Sequence, residues 1–207
     1  MKKILLAASA AVGAFCAPAH AATFTPAYEY TGAGTLTDSR PFTIGFDFSL
    51  SGTTSIDALG YNTLNIPGNQ QVGIWDSAGT LLASATINSG NTVIGNYAWQ
   101  SITTLTLGAG TYTIGGTYTG GPFVSNLSGV TSAPGFTWLR DQQLSGTGLN
   151  RPTLTYGNYG NNGIALVNFA GNFRGVPEPA AWAMMLAGFG LVGSAMRCRQ
   201  KVAVTFA

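Results

Sequence analysis

Nine residues, FTIGFDFSL from Phe42 to Leu50, constrain this chain more than any other stretch. Phe42, Ile44, Phe46, Phe48 and Leu50 alternate with smaller or polar residues. A helix cannot gather that pattern on one side, because its faces repeat about every 3.6 residues. The alternation predicts a strand with one buried face. Each large side chain on that face contributes roughly 1.5–3 kcal/mol when fully buried. Asp47 falls on the other face and is expected in solvent.

The same period continues along the chain. Residues 56–61 (IDALGY) read as a strand. Residues 71–75 and 80–87 flank Asp76-Ser77-Ala78-Gly79, whose Asp and Gly suit a tight turn, so this unit is expected to be a hairpin. Residues 101–107 and 111–118, joined by Gly108-Ala109-Gly110, are expected to form a second hairpin. Further strands are expected at 135–139 and 164–169. Residues 119–134 and 144–162 are rich in Gly, Asn and Ser and are expected to be long loops. No helical period stands out between residues 22 and 175. Many short strands with regular turns predict an all-β body, an antiparallel β-sandwich of jelly-roll or immunoglobulin-like character.

The two ends read differently. Lys2 and Lys3 precede an apolar stretch, and Ala19-His20-Ala21 has the A-x-A form of a secretory cleavage site. Residues 1–21 are therefore expected to be a signal peptide cut after Ala21. Phe15 is too bulky for the position before a lipoprotein cysteine, so Cys16 is not read as a lipid anchor. Cys16 and His20, the chain's one histidine, would leave with the signal peptide. Cys198 is in the tail. The body at 22–175 then holds no Cys, His or Lys. That excludes a disulfide framework, Ser-His-Asp and Cys-His nucleophiles, and His or Cys zinc sites. No cofactor is expected. Arg40, Arg140, Arg151 and Arg174 stand against Glu29, Asp38, Asp47, Asp57, Asp76 and Asp141. The body is slightly acidic and lacks the basic face that nucleic-acid binding requires.

Residues 180–196 are uncharged, at the short limit for a membrane span. Arg197, Arg199 and Lys201 follow, and Cys198 interrupts them. With the body exported, this basic cluster stays cytoplasmic under the positive-inside rule, and Trp182 marks the outer interface. Pro177 and Pro179 keep the approach to the span extended. The expected organisation is a signal peptide (1–21), a β-sandwich body (22–175) and a tail (176–207) with a single transmembrane helix at 180–196.

Two resemblances follow from these residues. DALGY, QQVGIWDSAGTLLASATI, WQSI and LTLGAGTYTIGGTY occur in an order that resembles a β-sandwich module of unknown function from bacterial surface and secreted proteins. That resemblance covers residues 42–118 and implies a sandwich but no activity. Val176, Pro177, Glu178, Pro179 and Trp182, then GFGLVG and Arg197, resemble a PEP-CTERM sorting signal of the PEPxxWA type. It implies transient anchoring in the inner membrane with the body in the periplasm. Cutting near the Pro-Glu-Pro motif by an exosortase-type processing enzyme would follow, with delivery to the surface of an exopolysaccharide-making Gram-negative cell.

Three function classes remain. One is a non-enzymatic surface or extracellular-matrix protein associated with exopolysaccharide or biofilm. Another is a carbohydrate-binding module that stacks sugars on exposed aromatics, with Trp138, Tyr156 and Tyr159 as the candidates and Gln142, Asn158 and Asn161 as polar neighbours. Trp75 and Trp99 are further candidates; each of the three tryptophans is read more readily as core, and Trp75 could face either way. The third is a glycosidase using Asp57, Asp76 or Asp141, which needs two carboxyls about 5–10 Å apart. Each of those aspartates also fits a turn or strand end. No EF-hand or repeat spacing supports calcium binding. Asn126-Leu127-Ser128 is a lone glycosylation sequon.

Overall fold

A computed structural model describes residues 25–155 and 163–173, with helical positions at 185 and 187–189. The expected signal segment, residues 156–162 and most of the expected span at 180–196 lie outside the described residues. Among the described residues, no helix is long and apolar enough to cross a membrane.

The body is all-β and every strand pairing is antiparallel. The strands run β1 (Tyr28–Glu29), β2 (Gly32–Asp38), β3 (Phe42–Leu50), β4 (Thr54–Asn62), β5 (Gln70–Trp75), β6 (Leu81–Ile87) and β7 (Thr92–Ile94). They continue with β8 (Tyr97–Leu107), β9 (Gly110–Tyr118), β10 (Gly121–Ser128), β11 (Thr131–Ser132), β12 (Phe136–Ser145), β13 (Leu154–Thr155) and β14 (Val167–Phe173). Six strands form one sheet in the order β13-β12-β3-β9-β5-β6. Four form a second in the order β14-β4-β8-β7, and β1-β11 and β10-β2 make two ribbons.

The two larger sheets share one core. The rings of Phe48 (β3) and Phe169 (β14) lie 4.7 Å apart. Tyr61 (β4) donates its hydroxyl to the Thr117 carbonyl (β9) at 2.9 Å. Gly116 of β9 makes this approach possible, since a Cβ there would fall 2.5 Å from Val167 Cγ1. Ile44, Phe46 and Phe48 are fully buried, with Phe42 and Leu50 nearly so.

The far face of β3 departs from expectation. Asp47 is 7% exposed, not in solvent. Gly45, Gly115 and Gly73 stand in register across β3, β9 and β5. This glycine row leaves a shallow trough on the outer face, which the chain beyond β12 crosses. A Cβ on Gly115 would come within 2.9 Å of Pro152, and one on Gly73 within 3.1 Å of Leu149. Thr43 Oγ1 donates to the Gly148 carbonyl at 3.1 Å and accepts from the Asn150 amide at 3.1 Å. The central strand is thus covered on both faces.

The β5–β6 hairpin forms as expected. The Gly79 amide donates to the Asp76 carbonyl at 3.1 Å, and the Thr80 amide donates to Asp76 Oδ1 at 2.8 Å. The second expected hairpin does not form. β8 pairs with β4 and β7, whereas β9 pairs with β3 and β5. Residues 108–109 carry the chain from one sheet to the other, so each strand presents its apolar face to the shared core from opposite sides. The stretch 119–134 is likewise not a loop. It holds β10, which pairs with β2 and buries Phe123, Val124 and Leu127. Within 144–162, β12 reaches Ser145, and β13 pairs Leu154 and Thr155 with Gln143 and Gln142.

Candidate functional site

Asp47 is a buried carboxylate whose two oxygens accept three side-chain hydrogen bonds. Its register partners are Thr113 on β9 and Arg140 on β12. Thr113 Oγ1 donates to Asp47 Oδ1 at 2.7 Å. Arg140 Nε and Gln142 Nε2 donate to Oδ2 at 2.9 and 2.8 Å. Arg151 Nε donates to Thr113 Oγ1 at 3.3 Å and extends the network to the crossing segment. Both oxygens of this carboxylate are therefore taken up by donors of the protein itself. The arrangement locks β3, β9 and β12 together.

Asp141 is the other buried carboxyl, 8% exposed on the core side of β12. Its Oδ1 accepts from Trp138 Nε1 at 3.2 Å and from the Ile164 amide at 3.3 Å. Burial raises its pKa to about 6, against the lowering effect of those two hydrogen bonds. The sequence offered Asp141 as a candidate glycosidase acid or an element-end residue, not as a buried partner of a tryptophan. The two other candidate acids have surface roles. Asp57 accepts from Thr104 Oγ1 at 2.7 Å, and Asp76 holds the β5–β6 turn. Thr80 and neighbouring turn amides lower the Asp76 pKa. Among the described residues, no group of three or more His, Cys, Asp or Glu could hold a metal ion.

The described candidate aromatics are built into the fold. Trp138 is half-buried and its ring stacks on Phe46 at 3.9 Å, meeting Tyr28 edge-on at 4.7 Å. Its indole N–H is already bonded to Asp141, so one face and the polar handle are occupied. Trp99 is 2% exposed and donates to the Ile94 carbonyl at 3.1 Å. Trp75 is 5% exposed on the outer face, where it and Leu149 crowd the same glycine, Gly73. Gln142 gives its amide N–H to Asp47, while its buried Oε1 has no hydrogen-bond partner among the described residues. Tyr156, Tyr159, Asn158 and Asn161 lie outside the described residues. Their flanks are placed: Thr155 pairs with Gln142, and Gly163 packs on Trp138.

A cleft of about 250 Å³ opens between Pro26, Glu29, Tyr30, Ile94 and Asn96. That volume is below the usual range of roughly 300–1,000 Å³ for small-molecule sites. Nothing in the sequence pattern singled it out.

The remaining site is the tail. Val176, Pro177, Glu178, Pro179, Trp182, Arg197, Arg199 and Lys201 lie outside the described residues, as do Ala19 and Ala21. The geometry leading to the tail is defined. β14 ends at Phe173, paired with Thr54, which pairs in turn with Leu107. On its other edge β14 receives the start of the body. The Ala27 amide donates to the Phe169 carbonyl at 2.8 Å, and the Gly171 amide donates to the Thr25 carbonyl at 3.0 Å. The motif therefore begins a few residues past a strand secured on both edges.

Comparison with known proteins assigns residues 175–200 to the PEP-CTERM protein-sorting motif. The chain carries that motif, which marks a protein exported and sorted by way of the membrane and processed by an exosortase-type enzyme. No curated protein and no solved structure matches the chain.

Proposed function

We propose that this chain is a non-enzymatic surface or extracellular-matrix protein, delivered by the exosortase route and retained with exopolysaccharide. The observation that carries the reading is the sorting motif at 175–200, directly behind a body whose last strand ends at Phe173. In this reading residues 1–21 are a signal peptide cut after Ala21. Residues 180–196 hold the chain briefly in the inner membrane, with Arg197, Arg199 and Lys201 on the cytoplasmic side. The body is a β-sandwich of jelly-roll or immunoglobulin-like character; the core shared by the two larger sheets supports this. A structural role is supported by Asp47, Asp76 and Asp141, which are committed to strand pairing, a turn and burial. The occupied ring of Trp138 weighs against sugar stacking at that position.

The test is the intact mass of the extracellular form made by a host that has an exosortase. A species beginning at Ala22 and ending near Pro177 to Pro179 is expected. A released protein ending at Ala207 overturns the sorting route, and a retained Met1 overturns the signal peptide. Retention of the released form on the host's own exopolysaccharide is expected, and free passage removes the matrix role.

A further inference from the structure

The structure defines the end of the body from which the tail departs. Two registered rows mark it: Phe173, Thr54 and Leu107 in the four-stranded sheet, and Phe136, Leu50 and Gly110 in the six-stranded sheet. Three connections cap these rows. Residues 51–53 join β3 to β4, 108–109 join β8 to β9, and 133–135 join β11 to β12. Their sequences are Ser-Gly-Thr, Gly-Ala and Ala-Pro-Gly. They hold no charged, aromatic or long aliphatic side chain. The opposite end carries the longer connection 63–69 and the Arg40–Asp38 ion pair.

Pro177 is four residues beyond Phe173. Four residues span at most about 14 Å of fully extended chain. That is little more than the roughly 10–12 Å diameter of one helix with its side chains. An enzyme that encloses residues 176–179 in a cleft has protein wall around the chain. A folded body on so short a leash must meet that wall. We propose that the end built from residues 51–53, 108–109 and 133–135 is the face that packs against the processing enzyme during tail removal. This rests on the sorting route above. The three connections hold no Lys or Arg of the kind anionic lipid headgroups attract, and the nearest basic residue in sequence is Arg174, directly after Phe173. They also lack the large apolar side chains that would enter a bilayer. Small uncharged residues let another protein surface come close. The occupant is therefore the enzyme rather than the lipid.

Thr53→Arg and Ala109→Arg place a charge on this face at exposed positions. Leu64→Arg, at an exposed position near the opposite end, is the control. The full-length chain is followed by pulse-chase and intact mass in a host with exosortase, with melting of each purified product as the folding check. Tail removal is expected to slow at least roughly tenfold in the double variant, a lower bound for an unpaired charge forced into a protein contact, and to be unchanged in Leu64→Arg. An insert of eight Gly and Ser residues after Gly175 adds about 15 Å of mean reach and should restore the rate. Unchanged processing in the double variant, or equal slowing in the control, overturns the proposal. Faster processing of the arginine variants would assign the face to anionic lipid and overturn it too. Pro177→Ala with Pro179→Ala separates the two levels: if that pair leaves processing untouched, the sorting route itself has failed, not the docking face.

Discussion

Tyr28 donates its hydroxyl to the carbonyl of Val167 at 2.8 Å, across 139 residues of chain. It also accepts from the Tyr97 hydroxyl at 2.6 Å. Its own strand, β1, is only two residues long. The side chain, more than the ladder, therefore fastens the start of the body. Tyr28→Phe should lower stability by about 1–3 kcal/mol, because Val167 and Tyr97 lose a buried partner. Tyr28→Ala should cost about 3–5 kcal/mol, since the ring also meets Phe46 and Trp138. Urea denaturation measures both. A Tyr28→Phe protein as stable as its parent would show that the hydrogen bonds contribute nothing.

Asp141 gives the body an unusual pH response. Its pKa in the folded protein is about 6, raised by burial above the ordinary carboxylate value. The folded state thus holds this proton more tightly than the unfolded chain. The group's contribution to stability is full below about pH 4 and is lost as pH rises through 6. Asp141→Asn keeps an oxygen for Trp138 and Ile164 without the charge. It should raise stability by about 1–2 kcal/mol at pH 7 and flatten the profile between pH 4 and 7. Melting temperatures across that range check it, and an unchanged slope would refute the assignment.

Removing Asp47 should be far more damaging than removing its arginine. Asp47→Ala strands the buried donors of Thr113 and Gln142 and should cost about 3 kcal/mol. The Arg140 side chain is 62% exposed, so Arg140→Met should cost under about 1 kcal/mol. The comparison is made in urea, which does not screen the charges. Equal losses would mean that the ion pair, not the hydroxyl and amide, anchors the carboxylate.

The tail offers a clean separation of recognition from anchoring. Pro177→Ala with Pro179→Ala should leave membrane insertion intact but trap the full-length protein in the membrane. Neutral replacements of Arg197, Arg199 and Lys201 should instead disturb retention and orientation. Membrane fractionation with intact mass distinguishes them. Normal release of the proline variant would show that the motif's chemistry is not read.

Where one apolar face alternated with small polar residues, the sequence pattern found the strand. β3, β4 and the β5–β6 hairpin were legible on that basis. β10 was not, because Phe123, Val124 and Leu127 are embedded among Gly, Pro, Ser and Asn that read as loop, and a bulge near Asn126 breaks the period. The pairing of β8 and β9 was misjudged because a short Gly-Ala link serves a change of sheet as well as a turn. Asp47 was misplaced for a different reason. Alternation tells which face a residue is on, but not that a distant segment, Leu149 to Pro152, will cover it. The glycines that make room for that cover carry no apolar signal at all. At the candidate site the sorting motif at 175–200 was legible, since it is local in sequence. The Asp141–Trp138 pairing required the bulge between Trp138 and Arg140, which sequence alone does not announce.

The bonds from Thr25 and Ala27 to Gly171 and Phe169 also fix an order in time. An exported chain emerges amino end first, so the segment ahead of β1 reaches the far side of the membrane long before β14. Its edge partner is the last strand of the body. Contacts of such sequence separation form late, because a long loop must close before they repay the entropy. The body therefore cannot complete its second sheet until residue 173 has crossed, when the sorting motif is only a few residues behind. On the export route proposed above, completing the body and presenting the motif are therefore expected to coincide.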